Sequence, residues 1–179
     1  TNRIPGVKPY EEPAYWRDVG TIDAYFAAHQ DLLGLEPRFD VFNSKWPLHA
    51  GSSHGPAARI VRGEVENSII AAGTVVNGAK VRNSVIRRGV TLEPGVELED
   101  CIVMDCVTIK RGARLRRVIV DRYNTIGAGA RIGHDPGVDQ RQYPVTPSGI
   151  VVIPAGGAGA PGLSDGGCGA VPSGGKGIP

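Results

Sequence analysis

ENSIIAAGTVVNGAKV (66–81), RNSVIRRGVTLEPGVEL (82–98), EDCIVMDCVTIKRGARL (99–115) and RRVIVDRYNTIGAGARI (116–132) are four consecutive copies of one internal repeat. The first copy is one residue short and the others step by 17. In register, glycine stands at 78, 95, 112 and 129, and aliphatic residues form two columns, Val76-Leu92-Ile109-Ile126 and Val81-Leu98-Leu115-Ile132. Thr91, Thr108 and Thr125 make a third column. A short fixed period with apolar columns and a glycine column is the mark of a solenoid, in which each turn buries its face only against its neighbours. Each copy splits into three short alternating stretches with small or polar corners. Three flat sides per turn predict a triangular prism whose turns stack as paired strands about 4.8 Å apart.

The loose hexapeptide rhythm resembles the left-handed parallel β-helix, an exception to the usual right-handed crossover. The expected fold is therefore an all-β solenoid over residues 65–153. PSGIVVI (147–153) is expected as one closing strand after a loop at 133–146. Composition agrees: 41% of the 179 residues are hydrophobic but only 6% aromatic, so the core must be built from Val, Ile, Leu and Ala.

Upstream of the repeat the texture differs. Residues 1–15 are polar and rich in proline and read as an extended surface segment. After Gly20 one helix is expected. Thr21 can cap it, Ile22, Tyr25, Phe26, His29, Leu32 and Leu33 fall at helical spacing, and Gly34 can end it. Residues 37–64 read as a linker. Residues 154–179 carry 10 glycines and 4 prolines. That tail cannot bury enough apolar surface to offset its ordering entropy, so it is expected to be disordered. Lys+Arg 20 against Asp+Glu 18 leaves a formal charge of +2, which draws the chain neither to nucleic acid nor to an anionic membrane. No apolar run reaches the ~18 residues of a membrane span. The start lacks a signal-peptide pattern, and three cysteines, an odd number, argue against a disulfide scaffold and for a reducing compartment, hence the cytoplasm. Cys101 and Cys106 read as small packing residues. The chain starts at Thr1 and its only methionine is Met104, which predicts a processed product or a fragment.

Candidate chemistry is sparse. Asp18, beside a glycine and just before a helix, can be a turn former or cap, and Trp16 can be core. Lys110, Arg111, Arg114, Arg116, Arg117 and Arg122 crowd one stretch with Asp121 as its single acid. Such a stretch is either a solvated face that blunts strand edges or an anion site, since guanidinium forks suit phosphates. One aromatic, Tyr123, and no recognised motif speak against nucleic acid. The four histidines (29, 49, 54, 134) fall outside the repeats, so neither a metal cluster nor a catalytic rung histidine is expected. That weighs against a hexapeptide-repeat acyltransferase and against a β-helix carbonic anhydrase. A non-enzymatic β-helix scaffold remains open.

YWRDVGTIDAYFAAHQDLL (15–33), FNSKWPLH (42–49), PAARIV (56–61), LRRVIVDR (115–122) and SGIVV (148–152) together resemble bacterial ADP-glucose pyrophosphorylase, or glucose-1-phosphate adenylyltransferase. The motifs occur in the family's order, from about residue 3 to 153. The resemblance implies a Rossmann-like nucleotidyltransferase domain followed by a left-handed β-helix. Residues 1–36 would then be the C-terminal remnant of the first, ending in its last helix. It implies transfer of the adenylyl group of ATP to glucose 1-phosphate for glycogen biosynthesis, with allosteric control and a homotetramer. In the W-x-D-x-G-T motif, it implies Asp18 as a catalytic ligand of Mg²⁺ and Trp16 as a residue against the sugar. A carboxylate suits a hard cation that neutralises phosphate charge. It further implies that a phosphorylated effector meets Arg122, with Arg116 and Arg117 in the same motif. The family's Gly-rich phosphate loop, its other metal-binding Asp and its sugar-phosphate Lys have no match here. The chain is thus expected to be a C-terminal portion, inactive by itself.

Overall fold

The computed structural model describes residues 15–45 and 55–155; the segment expected at 1–14, the part of the linker at 46–54 with Trp46, His49 and His54, and the tail beyond 155 lie outside the described residues. The repeat folds as a parallel β-solenoid of about four turns. Its long strands β1 (Arg59–Glu66) and β3 (Val75–Arg82) each run across two faces of the prism. On the first face β3 continues into β5 (Thr91–Leu92), β8 (Thr108–Ile109) and β11 (Thr125–Ile126). On the second it continues into β6 (Glu97–Glu99), β9 (Arg114–Arg116) and β12 (Arg131–Ile132). The third face is β2 (Ile69–Ile70), β4 (Val85–Ile86), β7 (Ile102–Val103), β10 (Val118–Val120) and β13 (Val151–Ile153).

The columns read from the sequence are the core. Val76, Leu92, Ile109 and Ile126 line the inside of the first face, Val81, Leu98, Leu115 and Ile132 the second, and Ile86, Val103, Val120 and Ile153 the third, all buried. Burying such side chains favours folding by ~1.5–3 kcal/mol each, which explains a core with no aromatic member.

The corners follow a rule of their own. Each turn has a left-handed residue at all three: Asn67, Asn83, Asp100 and Arg117 at one, Gly73, Gly89, Cys106 and Tyr123 at the next, Gly78, Gly95, Gly112 and Gly129 at the third. The glycine column exists because the third corner turns with φ near +70°. Asn and Asp tolerate this region through local hydrogen bonds.

Four differences from expectation have physical causes. The solenoid starts at Arg59, inside the stretch read as a linker. Ile60 pairs with Val76 and Val65 with Val81, so the columns extend one turn upstream, but register shifts between Ile60 and Gly63 hide the period. The stretch 133–146, expected as a loop, contains α2 (Pro136–Gln142), whose cap Asp135 accepts from Gly137 N and Val138 N at 2.9 and 3.2 Å. The closing strand is Val151–Ile153 alone, because residues 146–149 form a turn closed by Gly149 N donating to Thr146 O at 2.9 Å. Cys101 is a buried packing residue as expected, its free thiol pushed up to about 12 by burial, but Cys106 is disulfide-bonded.

The helix before the solenoid is α1 (Ile22–Gln30), capped by Thr21 Oγ1, which accepts from Ala24 N at 3.1 Å. Leu32 and Leu33 fall in the turn that follows, before Gly34 at φ +101°. α1 does not stand away from the prism. Phe26 packs on Ile102, Ile119 and Ile150, with Tyr25 and Val152 beside them, so the helix covers the outer row of the third face.

Candidate functional site

The segment that carries Trp16 and Asp18 folds back along α1. Tyr15 donates its hydroxyl to Asp31 Oδ2 at 2.8 Å, and Arg17 Nε meets the same oxygen at 2.8 Å. Asp31 is the C-cap of α1, so one carboxylate at the end of the helix fixes the strand-like stretch before its start. The Trp16 side chain is 83% exposed and is therefore not core. Asp18 is exposed too, and its Oδ1 accepts from Gly20 N at 3.0 Å, an Asx turn that leads into the cap. Both readings of Asp18 thus concern one residue: it shapes the turn and still presents a free oxygen.

Magnesium takes six oxygens in near-octahedral geometry, commonly one or two carboxylates with phosphates and waters. Among the described residues no three His, Cys, Asp or Glu side chains converge. Asp18 offers one carboxylate, and the described residues do not by themselves fit a magnesium site.

The three arginines of the RRVIVDR stretch go to three different places. Arg116 is on the outer side of β9, where Nε pairs with Glu99 Oε2 at 3.5 Å. It belongs to a ladder of alternating charge on the second face, with Lys80–Glu64, Arg82–Glu66 and Arg114–Glu97 at 3.5, 3.1 and 3.4 Å. Arg117 turns the corner with φ 53°, lays its guanidinium 5.7 Å from the Phe26 ring centroid and donates from Nη2 to Ser148 O at 3.2 Å. Arg122 stands one corner further on, exposed, with Nε 3.7 Å from Asp121 Oδ1. Sequence neighbours diverge because Arg116 ends a strand of the second face, Arg117 is the corner itself and Arg122 lies past the third-face strand Val118–Val120.

Arg122 does border a cleft. A space of about 480 Å³ lies between the start of α1 (Val19, Gly20, Thr21, Ile22, Tyr25) and the solenoid wall of Met104, Ile119, Asp121, Arg122 and Val152. Its near end begins at Val19, the residue after Asp18. Tyr25 is the member that sequence reading missed, since its helical position marks it only as apolar face. Burial raises the Tyr25 phenol above its usual range, with Arg87 and Arg122 opposing and Asp121 and Asp105 assisting. It stays a neutral hydroxyl between charges of both signs. Arg87, likewise missed, pairs with Asp105 at 3.2 Å. Behind Tyr25, His29 is held below its ordinary range by burial, and its Nδ1 lies 3.0 Å from Tyr25 O. Neither His29, inside this packing, nor the exposed His134 joins a catalytic set. The cleft can hold a small molecule with an apolar or ring portion against Ile119 and Val152 and an anionic group at Arg122.

The comparisons with known proteins cover the solenoid, and the relatives match a longer stretch than the solenoid alone. A family model, GlmU-like, C-terminal hexapeptide, matches residues 56–153. Glucose-1-phosphate adenylyltransferase of Thermodesulfovibrio yellowstonii is 48% identical over 153 residues, which is 86% of this chain and 37% of that protein. The enzymes of the same name from Deinococcus deserti and Acidothermus cellulolyticus are 41% and 49% identical over 160 and 155 residues, 86% of this chain in each case and 38% and 37% of the relatives. The chain thus spans somewhat over a third of the length of the curated relatives it matches, corresponding to their C-terminal part. With a described solenoid whose three faces and corner columns repeat through the whole matched span, the chain belongs to the GlmU-like, C-terminal hexapeptide family.

Proposed function

We propose that this chain is the C-terminal part of a glucose-1-phosphate adenylyltransferase, which joins the adenylyl group of ATP to glucose 1-phosphate and releases pyrophosphate in glycogen biosynthesis. The observation that carries the reading is near-half identity to enzymes of that name across 86% of the chain, a stretch longer than the solenoid. Asp18 would give one carboxylate to Mg²⁺, and Trp16, with its face free, would lie against the sugar. Residues beyond this chain would supply the other ligands. The cleft between α1 and the third face would take a phosphorylated effector, with Arg122 as its charge partner. Arg116, already paired in the ladder, and Arg117, over the ring of Phe26, would act only as positive background. A homotetramer fits the uncovered first rung, where Ile60 and Val61 of β1 are more than half exposed. The cytoplasm would be the compartment on cysteine number alone; the bonded Cys106 does not support it.

The test is a chimera in which this chain replaces the matching C-terminal segment of the Thermodesulfovibrio yellowstonii enzyme. The chimera is expected to make ADP-glucose, whereas the 179-residue chain alone is not. Asp18→Asn should lower kcat by about 10³-fold if the carboxylate holds transition-state charge. Arg122→Ala should weaken half-activation by sugar phosphates or adenine nucleotides by about tenfold or more, with Arg122→Lys only partly restoring it, and leave unactivated turnover intact. A folded but inactive chimera would sink the reading. Equal half-activation for all three forms would remove Arg122 from the effector site.

A further inference from the structure

The SGIVV motif carries no chemistry in the reading above, yet its first residue touches the helix that follows Asp18. The side chain of Asp23, in the first turn of α1, accepts through Oδ1 from Thr146 Oγ1 at 3.2 Å and from Ser148 Oγ. These partners are 123 and 125 residues away in sequence and join the two ends of the described fold. The turn that presents them is held on itself. Thr146 N donates to Ile150 O at 2.9 Å, Ile150 N donates to Thr146 Oγ1 at 3.1 Å, and Gly149 has φ +85°. Ser148 O in turn accepts from Arg117 Nη2, and Arg117 lies over the ring of Phe26 on α1. The contacts close a ring: Asp23 to Ser148, Ser148 to Arg117, Arg117 to Phe26, and along one turn of helix back to Asp23.

We propose that the 146–150 turn is a latch for α1, and that Asp23 and Ser148 are positioning residues that set the 15–20 segment, and with it Asp18, on the solenoid. The far end of α1 is tied independently, by Gln30 Nε2 donating to Asn83 O at 3.2 Å and by Gly34 N donating to Asn67 Oδ1 at 2.7 Å. The latch therefore acts on the end of the helix that leads to Asp18 and borders the Arg122 cleft. A hydrogen-bonded carboxylate is suited to this role because its acceptors are directional, unlike the apolar contact of Phe26. The significance given to Asp18 and Arg122 rests on the adenylyltransferase reading; the latch itself does not.

Two measurements test it. In the 179-residue chain, hydrogen exchange is followed in residues 19–30 for wild type, Asp23→Ala, Ser148→Ala and the double variant. Asp23→Ala, which loses both bonds, is expected to speed exchange of the first α1 turn about tenfold, Ser148→Ala, which keeps the Thr146 bond, by less, and the double no more than Asp23→Ala alone, with β7 to β10 unchanged. In the chimera described above, Ser148→Ala is expected to lower kcat several-fold with little change in KM for glucose 1-phosphate, and Ser148→Thr, which keeps the hydroxyl, to restore it. Unchanged exchange in the single variants, or additive effects in the double, would overturn the latch. Faster exchange with wild-type kcat in an active chimera would overturn the positioning role. An inactive wild-type chimera would instead overturn the adenylyltransferase reading, and the exchange result alone would then decide the latch.

Discussion

Two glycines with similar left-handed backbones show how differently one residue type is used. Gly112 has φ +70° and open space where a Cβ would stand. Gly133, at φ +81°, would place a Cβ 1.7 Å from the carbonyl oxygen of Arg116. Gly112→Ala should therefore cost only the backbone term, ~1–2 kcal/mol, because the side chain meets nothing. Gly133→Ala has to move the β9 corner and should lower the thermal midpoint considerably more. Equal midpoints for the two variants would show that the close approach at Gly133 is easily relaxed. The glycine column read from the sequence was the tolerant one, and the intolerant position lies one residue past the last repeat. Its demand comes from a chain 17 residues upstream, which no local pattern reveals.

At the scale of the element, α1 is too short to be helical by itself, since helices under ~12 residues are marginal in water. Its stability comes from Phe26 in the outer row of the third face, buried to 6% exposure. Phe26→Ala should cost ~3–5 kcal/mol at this contact. The loss is expected to appear as local opening: exchange protection of α1 falls while that of β4, β7 and β10 persists. If the helix keeps its protection, the ties at Asn67, Asn83 and Ser148 hold it without the apolar contact. His29 adds a pH dependence. Its folded pKa is depressed by burial, so below about pH 6.5 the unfolded helix binds the proton more readily. Docking of α1 is then weakened as pH falls through that value, not as it rises.

The whole solenoid carries its charge in register. Glu97 lies opposite Lys80 on one side and Arg114 on the other, and Glu99 opposite Arg82 and Arg116. Each of these pairs is half-exposed, so a single bridge is worth no more than ~1 kcal/mol. Glu97→Lys turns three rungs into a column of like charge. Its cost in urea unfolding should be ~1 kcal/mol at low salt and should shrink in 1 M NaCl, where the screening length is ~3 Å. A salt-independent cost would point to packing. The ladder also settles what Arg116 does at rest: its charge is answered within the face.

The sequence by itself determined the solenoid, its register and its core, because in a stacked prism each column repeats at the chain's own period and like meets like. It also determined the cap and the body of α1, which depend on contacts within one helical turn, but not its end at Gln30. Only the tertiary structure decided where α1 lies, that Arg116, Arg117 and Arg122 serve three separate surroundings, and that Asp23 and Ser148 join the two ends of the described fold. Those outcomes turn on which side of a corner a residue emerges and on what packs against it from more than a hundred residues away. Periodicity holds no information about either.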